Sequence, residues 1–243
     1  MITIAQKFTV EFLKKEQAAK NTSSFFFQRP PQLNFLPGQF MRLTLETLES
    51  DERANYRLFS IASSPTEKEY LMITTKSNHS VFKKTLFSLK IGTKAQISAP
   101  YGVFTLKPEE TAPHVFLAGG IGITPFRSMI RYASDSNLNL PITLFTSFST
   151  VEERVFQKEL QAIAAKKSWL KLVETITQPL DSGKAWRGNV GRINAELIKK
   201  NVELLSSIFY IAGPPAMVDT MTNLVKSLGV EVARVRIEKF TGY

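Results

Sequence analysis

The chain has 243 residues, 43% of them hydrophobic, with 31 basic and 21 acidic side chains and a net charge of +10. With no cysteine it has no disulfide, no thiolate metal site and no iron–sulfur cluster of its own, and its two histidines, His79 and His114, are too few and too far apart to suggest zinc. No apolar run approaches the roughly eighteen residues of a membrane span, and the charge is spread evenly with no nucleic-acid motif beside it, so no metal, no nucleic acid and no membrane span are expected.

The first residues alternate, with Ile2, Ile4, Phe8, Val10 and Phe12 apolar and Lys7 among them. That predicts a strand, not a secretory signal. Further strands are predicted over 40–45, 56–61, 70–74 and 94–98. Turns are predicted at Pro37-Gly38, Ser64-Pro65, Ile91-Gly92 and Pro100-Tyr101-Gly102. A short helix is predicted over 81–89. Short strands at this spacing suggest a small antiparallel barrel. Between Glu69 and Glu109 lie six lysines (76, 83, 84, 90, 94 and 107) and no acid. This bias reads either as a solvated face or as a patch for an acidic partner or anionic ligand.

After Pro108-Glu109-Glu110-Thr111 the rhythm changes. Apolar strands predicted over 115–118, 142–148, 170–176, 207–212 and 232–237 alternate with helical patterns. Met217, Met221, Leu224, Val225 and Leu228 make one helical face after Pro215, and Gly229 supplies a stop. Such alternation implies a parallel sheet with helices on both faces and ligands at the carboxyl ends of its strands. Two glycine turns, at 119–122 and 213–215, fall on that edge. In the first, Gly119-Gly120-Ile121-Gly122 clears side chains from the backbone. Thr124 suits an N-cap, and Pro125 the first helical position. Such a turn aims N–H groups and the positive end of a helix at one point, which favours a phosphate.

Four motifs in fixed order resemble those of the ferredoxin–NADP reductase superfamily. Arg57-Leu58-Phe59-Ser60 resembles its flavin motif, Arg-x-Tyr-Ser/Thr. Gly119-Gly120-Ile121-Gly122-Ile123-Thr124-Pro125 resembles its nucleotide pyrophosphate motif. Tyr210-Ile211-Ala212-Gly213-Pro214-Pro215-Ala216-Met217 resembles its Cys-Gly-Pro-Pro motif, with Ala212 at the Cys position. Glu238-Lys239-Phe240-Thr241-Gly242-Tyr243 resembles the acidic-aromatic C-terminus of many bacterial members.

The resemblance implies two units. Residues 1–108 would form an antiparallel β-barrel that binds FAD. Residues 109–243 would form a Rossmann-like α/β unit that binds the nicotinamide nucleotide, with its C-terminal tail returning to the flavin. It implies that Arg57 pairs with the flavin phosphates, that Phe59 lies on the isoalloxazine ring in place of the usual Tyr, and that Ser60 hydrogen-bonds near N5. Leu58, the backbone of Met72, Ile73 and Thr74, and His79 and Ser80 at the helix start complete the implied flavin site. In that last segment, Ser77-Asn78-His79-Ser80, the family's Gly is missing. Gly120, Ile121, Gly122, Thr124, Pro125, Ser147, Gly213, Pro214, Met217 and Phe240 are the implied nucleotide and nicotinamide contacts. Ser60 and Glu238 are the polar groups expected on the hydride path. The loop Ser147-Phe148-Ser149-Thr150, followed by Glu152, Glu153 and Arg154, leaves NADPH and NADH both open.

The expected function is an FAD-dependent oxidoreductase. It would pass a hydride between NAD(P)H and flavin, then single electrons to or from a separate acidic carrier such as ferredoxin or flavodoxin. A reductase of free flavin, ferric chelates or a membrane-bound oxidase partner uses the same core, and a non-catalytic flavoprotein module is the alternative of another class. The expected compartment is the cytoplasm, and a monomer is favoured.

Overall fold

A computed structural model describes residues 4–46, 55–77 and 80–241. Ile2, His79, Gly242 and Tyr243 lie outside the described residues.

The first half is built on alternation. Its elements are β1 (Gln6–Ala19), β2 (Thr22–Gln28), β3 (Phe40–Thr44), β4 (Tyr56–Ser60), β5 (Tyr70–Lys76), the helix α1 (Val81–Phe87) and β6 (Lys94–Tyr101). The six strands form an antiparallel sheet in the order β4-β3-β6-β1-β2-β5. Its two ends meet just past β4. The N–H of Ala62 donates to the Met72 carbonyl at 2.8 Å, and the N–H of Met72 donates to Ser63 Oγ at 3.0 Å, which curls the sheet into a barrel. Val10, Phe12, Phe25, Phe27, Met41 and Leu43 fill the inside, and Phe82 and Leu86 of α1 pack into the same core. Ser80 caps α1, its hydroxyl accepting from the Lys83 N–H at 3.3 Å.

Two features of this half differ from the pattern reading. No strand is predicted over the Ser-Ser-Phe-Phe-Phe run, yet it is β2, because both of its faces are covered. Phe25 and Phe27 enter the barrel core while Phe26 packs outward with Ala62 and Met72. A strand buried on both sides shows no alternation. Pro100 and Tyr101, predicted as turn, continue β6, where Tyr101 pairs with Phe40. The chain turns at Gly102, whose φ of +94° suits glycine.

The second half runs β7 (His114–Gly119), α2 (Thr124–Asp135), β8 (Ile142–Phe148), α3 (Gln157–Ala164), β9 (Leu170–Ile176), β10 (Asn189–Val190), α4 (Ala195–Asn201), β11 (Ile208–Gly213), α5 (Pro215–Ser227) and β12 (Val235–Lys239). All six strands are parallel, in the order β10-β9-β8-β7-β11-β12. Alternate residues of the central strands face opposite layers. Phe116, Ala118 and Tyr210 pack on α2 and α3, while Val115, Leu117 and Ile211 pack on α4 and α5. The fold is therefore an antiparallel barrel followed by a doubly covered parallel sheet. No helix among the described residues is long and apolar enough to cross a membrane.

Two boundaries shift. Val232–Arg234, predicted as strand, forms a 3-10 turn with Val232 mostly exposed, and the strand begins at Val235. Thr124 is not an N-cap. A 3-10 turn over Gly120–Ile123 runs straight into α2, and the Thr124 hydroxyl donates back to the Ile121 carbonyl at 3.1 Å.

The two halves are tied by Arg127 of α2, whose side chain is 6% exposed. It ion-pairs with Glu67 from the loop after β4, bonds Glu159 of α3 at 2.7 Å and donates to the Ala62 carbonyl at 3.1 Å. Beside it the Ser128 hydroxyl donates to the Ser63 carbonyl at 2.7 Å.

Candidate functional site

Between the two sheets lies a cleft of about 500 Å³. One wall is β4, at the end of the barrel's strand order, with Thr74 and Thr75 of β5 and Lys83 of α1. The other is the start of α2 and its preceding turn, through Ile121 and Thr124, together with the end of β12 from Ile237 to Lys239 and the following Phe240 and Thr241. The last strand of the second unit thus returns to the first.

Arg57, Leu58, Phe59 and Ser60 all line the cleft. The Arg57 guanidinium lies 5.1 Å from the Phe82 ring centre, and its Nη1 donates to the Tyr56 carbonyl at 2.7 Å. Phe59 is half-buried, its ring 6.1 Å from Phe82 at 31°, so the core fixes one side of it while the other borders the cleft. Leu58 is 57% exposed and Ser60 is buried.

Across the cleft stands Glu238. It pairs in register with Ala212, the C-terminal end of β11. Its Oε2 is out of solvent and has no hydrogen-bond partner, and burial pushes the carboxyl pKa up to about 8. Glu238 thus keeps hydrogen-bonding capacity that no group among the described residues uses. Phe240 also lines the cleft, held there by its N–H donating to the Gly213 carbonyl at 2.9 Å.

The two glycine turns meet back to back on the carboxyl edge of the parallel sheet. Gly213, at φ +153°, sits so close to Gly119 that an added Cβ would lie 3.1 Å from the Gly119 carbonyl oxygen, and Met217 packs against the other side of Gly119. A Cβ on Gly122 would lie 2.6 Å from the Ala212 carbonyl carbon. Gly122 therefore lets the turn pack on β11 and does not open space for a ligand, which corrects the reading of this glycine as cleared for phosphate. Gly120 fits that role in its place: its φ is +52°, and nothing lies within 4 Å of where its Cβ would be.

The remaining expected residues scatter around this centre. Of Met72, Ile73 and Thr74, only Thr74 reaches the cleft. The N–H and carbonyl of Met72 serve the barrel closure, and Ile73 is core. Ser80 caps α1 behind the wall. Pro125 is buried in the first turn of α2, and Ser147, the last but one residue of β8, pairs with Gly119. Pro214 is exposed on the same edge. Arg154 of the loop after β8 is bonded to Glu174 at 3.4 Å and lies over the Trp186 ring at 5.0 Å.

The sequence reading missed Phe40, Tyr56, Thr75 and above all Lys83, which line the same cleft. The lysine-rich segment reads as a solvated face or as a patch for an acidic partner or anionic ligand, and Lys83, at 6% exposed, fits neither a solvated face nor a protein-docking patch. The signal was available: Lys83 stands three residues before the buried Leu86, on the inward face of α1. Of the other lysines in that group, Lys76 pairs with Glu153 and Lys107 with Glu110, while Lys84, Lys90 and Lys94 are exposed.

The chain matches two family models, the oxidoreductase FAD-binding domain over residues 9–106 and the oxidoreductase NAD-binding domain over residues 116–223. It is 24% identical over 237 residues to a flavohemoprotein of Oceanobacillus iheyensis, covering 94% of this chain and 57% of that protein. It is 27% identical over 222 residues to the glycine betaine monooxygenase reductase subunit of Chromohalobacter salexigens, covering 90% of this chain and 60% of that one. The chain thus spans less than two thirds of the length of either curated relative. Among solved structures, a ferredoxin NADP+ reductase from Neisseria gonorrhoeae with bound FAD and NADP shares the fold, with a TM-score of 0.80 at 20% identity, covering 96% of this chain and 98% of that one.

Proposed function

The chain belongs to the ferredoxin–NADP reductase superfamily, combining an FAD-binding with an NAD-binding oxidoreductase domain, and from this we propose that it is an NAD(P)H-dependent flavoprotein reductase that serves a separate electron carrier. The observation that carries the reading is the cleft in which Arg57, Phe59 and Ser60 of β4 face Glu238 and Phe240 of the C-terminal strand and tail. Its contents fit a flavin dinucleotide: a cation for phosphate, an aromatic face for the ring, and a buried carboxyl oxygen awaiting a donor. FAD, when bound, accepts a hydride and releases electrons singly.

The residues have distinct tasks in this reading. Arg57 holds the flavin phosphates. Phe59 would support the flavin ring from the barrel wall, and Phe240 would cover the cleft from the C-terminal tail. Gly120 and Ile121 present backbone to the nucleotide pyrophosphate, and Ser147, Gly213, Pro214 and Met217 border the rest of the nucleotide on the same edge. Ser60 donates a hydrogen bond at the reacting end. Glu238, neutral below about pH 8, would hold a carboxyl proton at that end and keep negative charge out of the cleft. The cleft between the two units would shield both cofactors from water and fix their approach. We divide the chain at 108/109 between the two tasks and place it in the cytoplasm.

For the partner we propose an acidic one-electron carrier. These 243 residues hold no cysteine to ligate a cluster, and several similar proteins are named as reductase or electron-transfer components of oxygenase systems. Exposed Lys84, Lys90 and Lys94 give the barrel side a positive surface for such a carrier. The test is the visible spectrum of the purified protein before and after anaerobic NADH or NADPH. A yellow protein that bleaches supports the reading and identifies the nucleotide. A flavin that neither nucleotide bleaches overturns it.

A further inference from the structure

Lys83 lies in α1 on the face that buries Phe82 and Leu86, yet it also borders the cleft. An apolar side chain would fill this helix position without taking an ammonium out of water. The Lys83 Nζ donates to the Lys76 carbonyl at 2.9 Å. Its neighbour Phe82 carries the Arg57 guanidinium over its ring. Two cations therefore share one wall, and burial first, then the charge of Arg57, brings the Lys83 pKa down to about 8. Thr74 and Thr75 stand on the same wall.

We propose that Lys83 is a second phosphate-binding cation of the site, working beside Arg57 to hold the diphosphate of the flavin dinucleotide. The inference rests on the reading of the cleft as the flavin site. Like charges on one wall repel, and an anion with oxygens on two phosphorus centres relieves that repulsion while engaging each cation. Arg57 presents a planar fork and Lys83 a compact point charge, so one wall offers two distinct modes of phosphate contact. A flavin without phosphate gains nothing from Lys83, so the residue selects for the phosphorylated forms of the cofactor.

The test is titration of the apoprotein with FAD and, separately, with riboflavin, followed by flavin fluorescence, for the wild type, Lys83→Gln and Lys83→Arg. Gln keeps a donor for the Lys76 carbonyl and removes the charge, whereas Arg keeps the charge. Lys83→Gln is expected to weaken FAD binding about tenfold or more, the effect of one charged hydrogen bond, with riboflavin binding unchanged and Lys83→Arg close to the wild type. Lys83→Met, which retains the unbranched stem, replaces the Gln variant if that one does not fold. Wild-type affinity for FAD in the neutral variant overturns the proposal. So does a parallel loss of FAD and riboflavin, the mark of a lysine that only supports the wall. A wild-type apoprotein that binds neither flavin refutes the parent reading of the cleft instead.

Discussion

Gly122 packs directly on the backbone of Ala212: a Cβ at residue 122 would lie 2.6 Å from the Ala212 carbonyl carbon and 2.7 Å from Gly213 Cα. Neither atom belongs to a side chain that could swing away. Gly122→Ala is therefore a packing mutation, expected to cost about 1–3 kcal/mol through overpacking and to lower the melting temperature by several degrees. Gly122→Val is expected to cost more, because its branched side chain meets the same backbone. Differential scanning calorimetry decides the matter: a Gly122→Ala protein that melts with the wild type would mean that the turn lifts off β11 at no cost.

Arg57→Ala is expected to weaken FAD binding at least tenfold, since a charged hydrogen bond contributes about 1.5–3 kcal/mol. The Arg57 side chain lies at the cleft and not in the barrel core, so circular dichroism should be unchanged. Flavin content after dialysis measures the effect. A folded variant that retains FAD as the wild type does would detach this residue from the phosphate role.

Glu238 makes the stability of the apoprotein depend on pH. Below about pH 4.5 both the folded and unfolded chains carry its proton. Between 4.5 and about 8 the unfolded chain ionises while the buried folded carboxyl does not, so this group makes the fold progressively less stable as pH rises, and the loss levels off above 8. Glu238→Gln removes that slope. Melting temperatures of the two proteins from pH 5 to 9 should diverge upward in favour of the variant, and parallel curves would contradict the burial of this carboxyl.

Arg127→Met should destabilise the protein by about 3–5 kcal/mol, the usual consequence of removing one partner from a buried ion pair. Glu67 would be left 10% exposed without its guanidinium. Burial works against the ionised Glu67, but the hydrogen bond and charge of Arg127 hold its pKa below 4.5. That contribution is present above pH 4.5 and is lost as pH falls through the lowered value. Acid unfolding should therefore begin at higher pH and lose part of its steepness in the variant. Denaturant titration at pH 7 and pH 4 checks both statements.

The elements that the pattern made legible share one physical trait, burial on a single face. Strands such as β3 and β6 alternate because one side meets the barrel core, and α5 shows its stripe because only one side meets the sheet. β2 escaped because Phe26 is covered by the contact between the units, which no local rule can foresee. In the site, Arg57, Phe59 and Glu238 were legible as members of a motif. Lys83 was legible only through the spacing that puts it on the helix face of Leu86, since its residue type alone reads as solvated. The direction in which Gly122 lacks a side chain is likewise a tertiary fact: from sequence it is one of three glycines in a turn, and only the approach of β11 shows which of them makes room for protein.

The order of strands has a temporal side. Residues 6–101 supply the whole barrel, whereas the strand bearing Glu238 begins at Val235, about 130 residues later. At roughly 5–20 residues per second of translation, the barrel waits on the order of ten seconds with one side of its cleft still unmade. During that interval the β4 wall, with Arg57 and Phe59, lacks the side of the cleft that Glu238 and Phe240 supply. β12 thus completes the cleft only after every other described strand of the two units has been made.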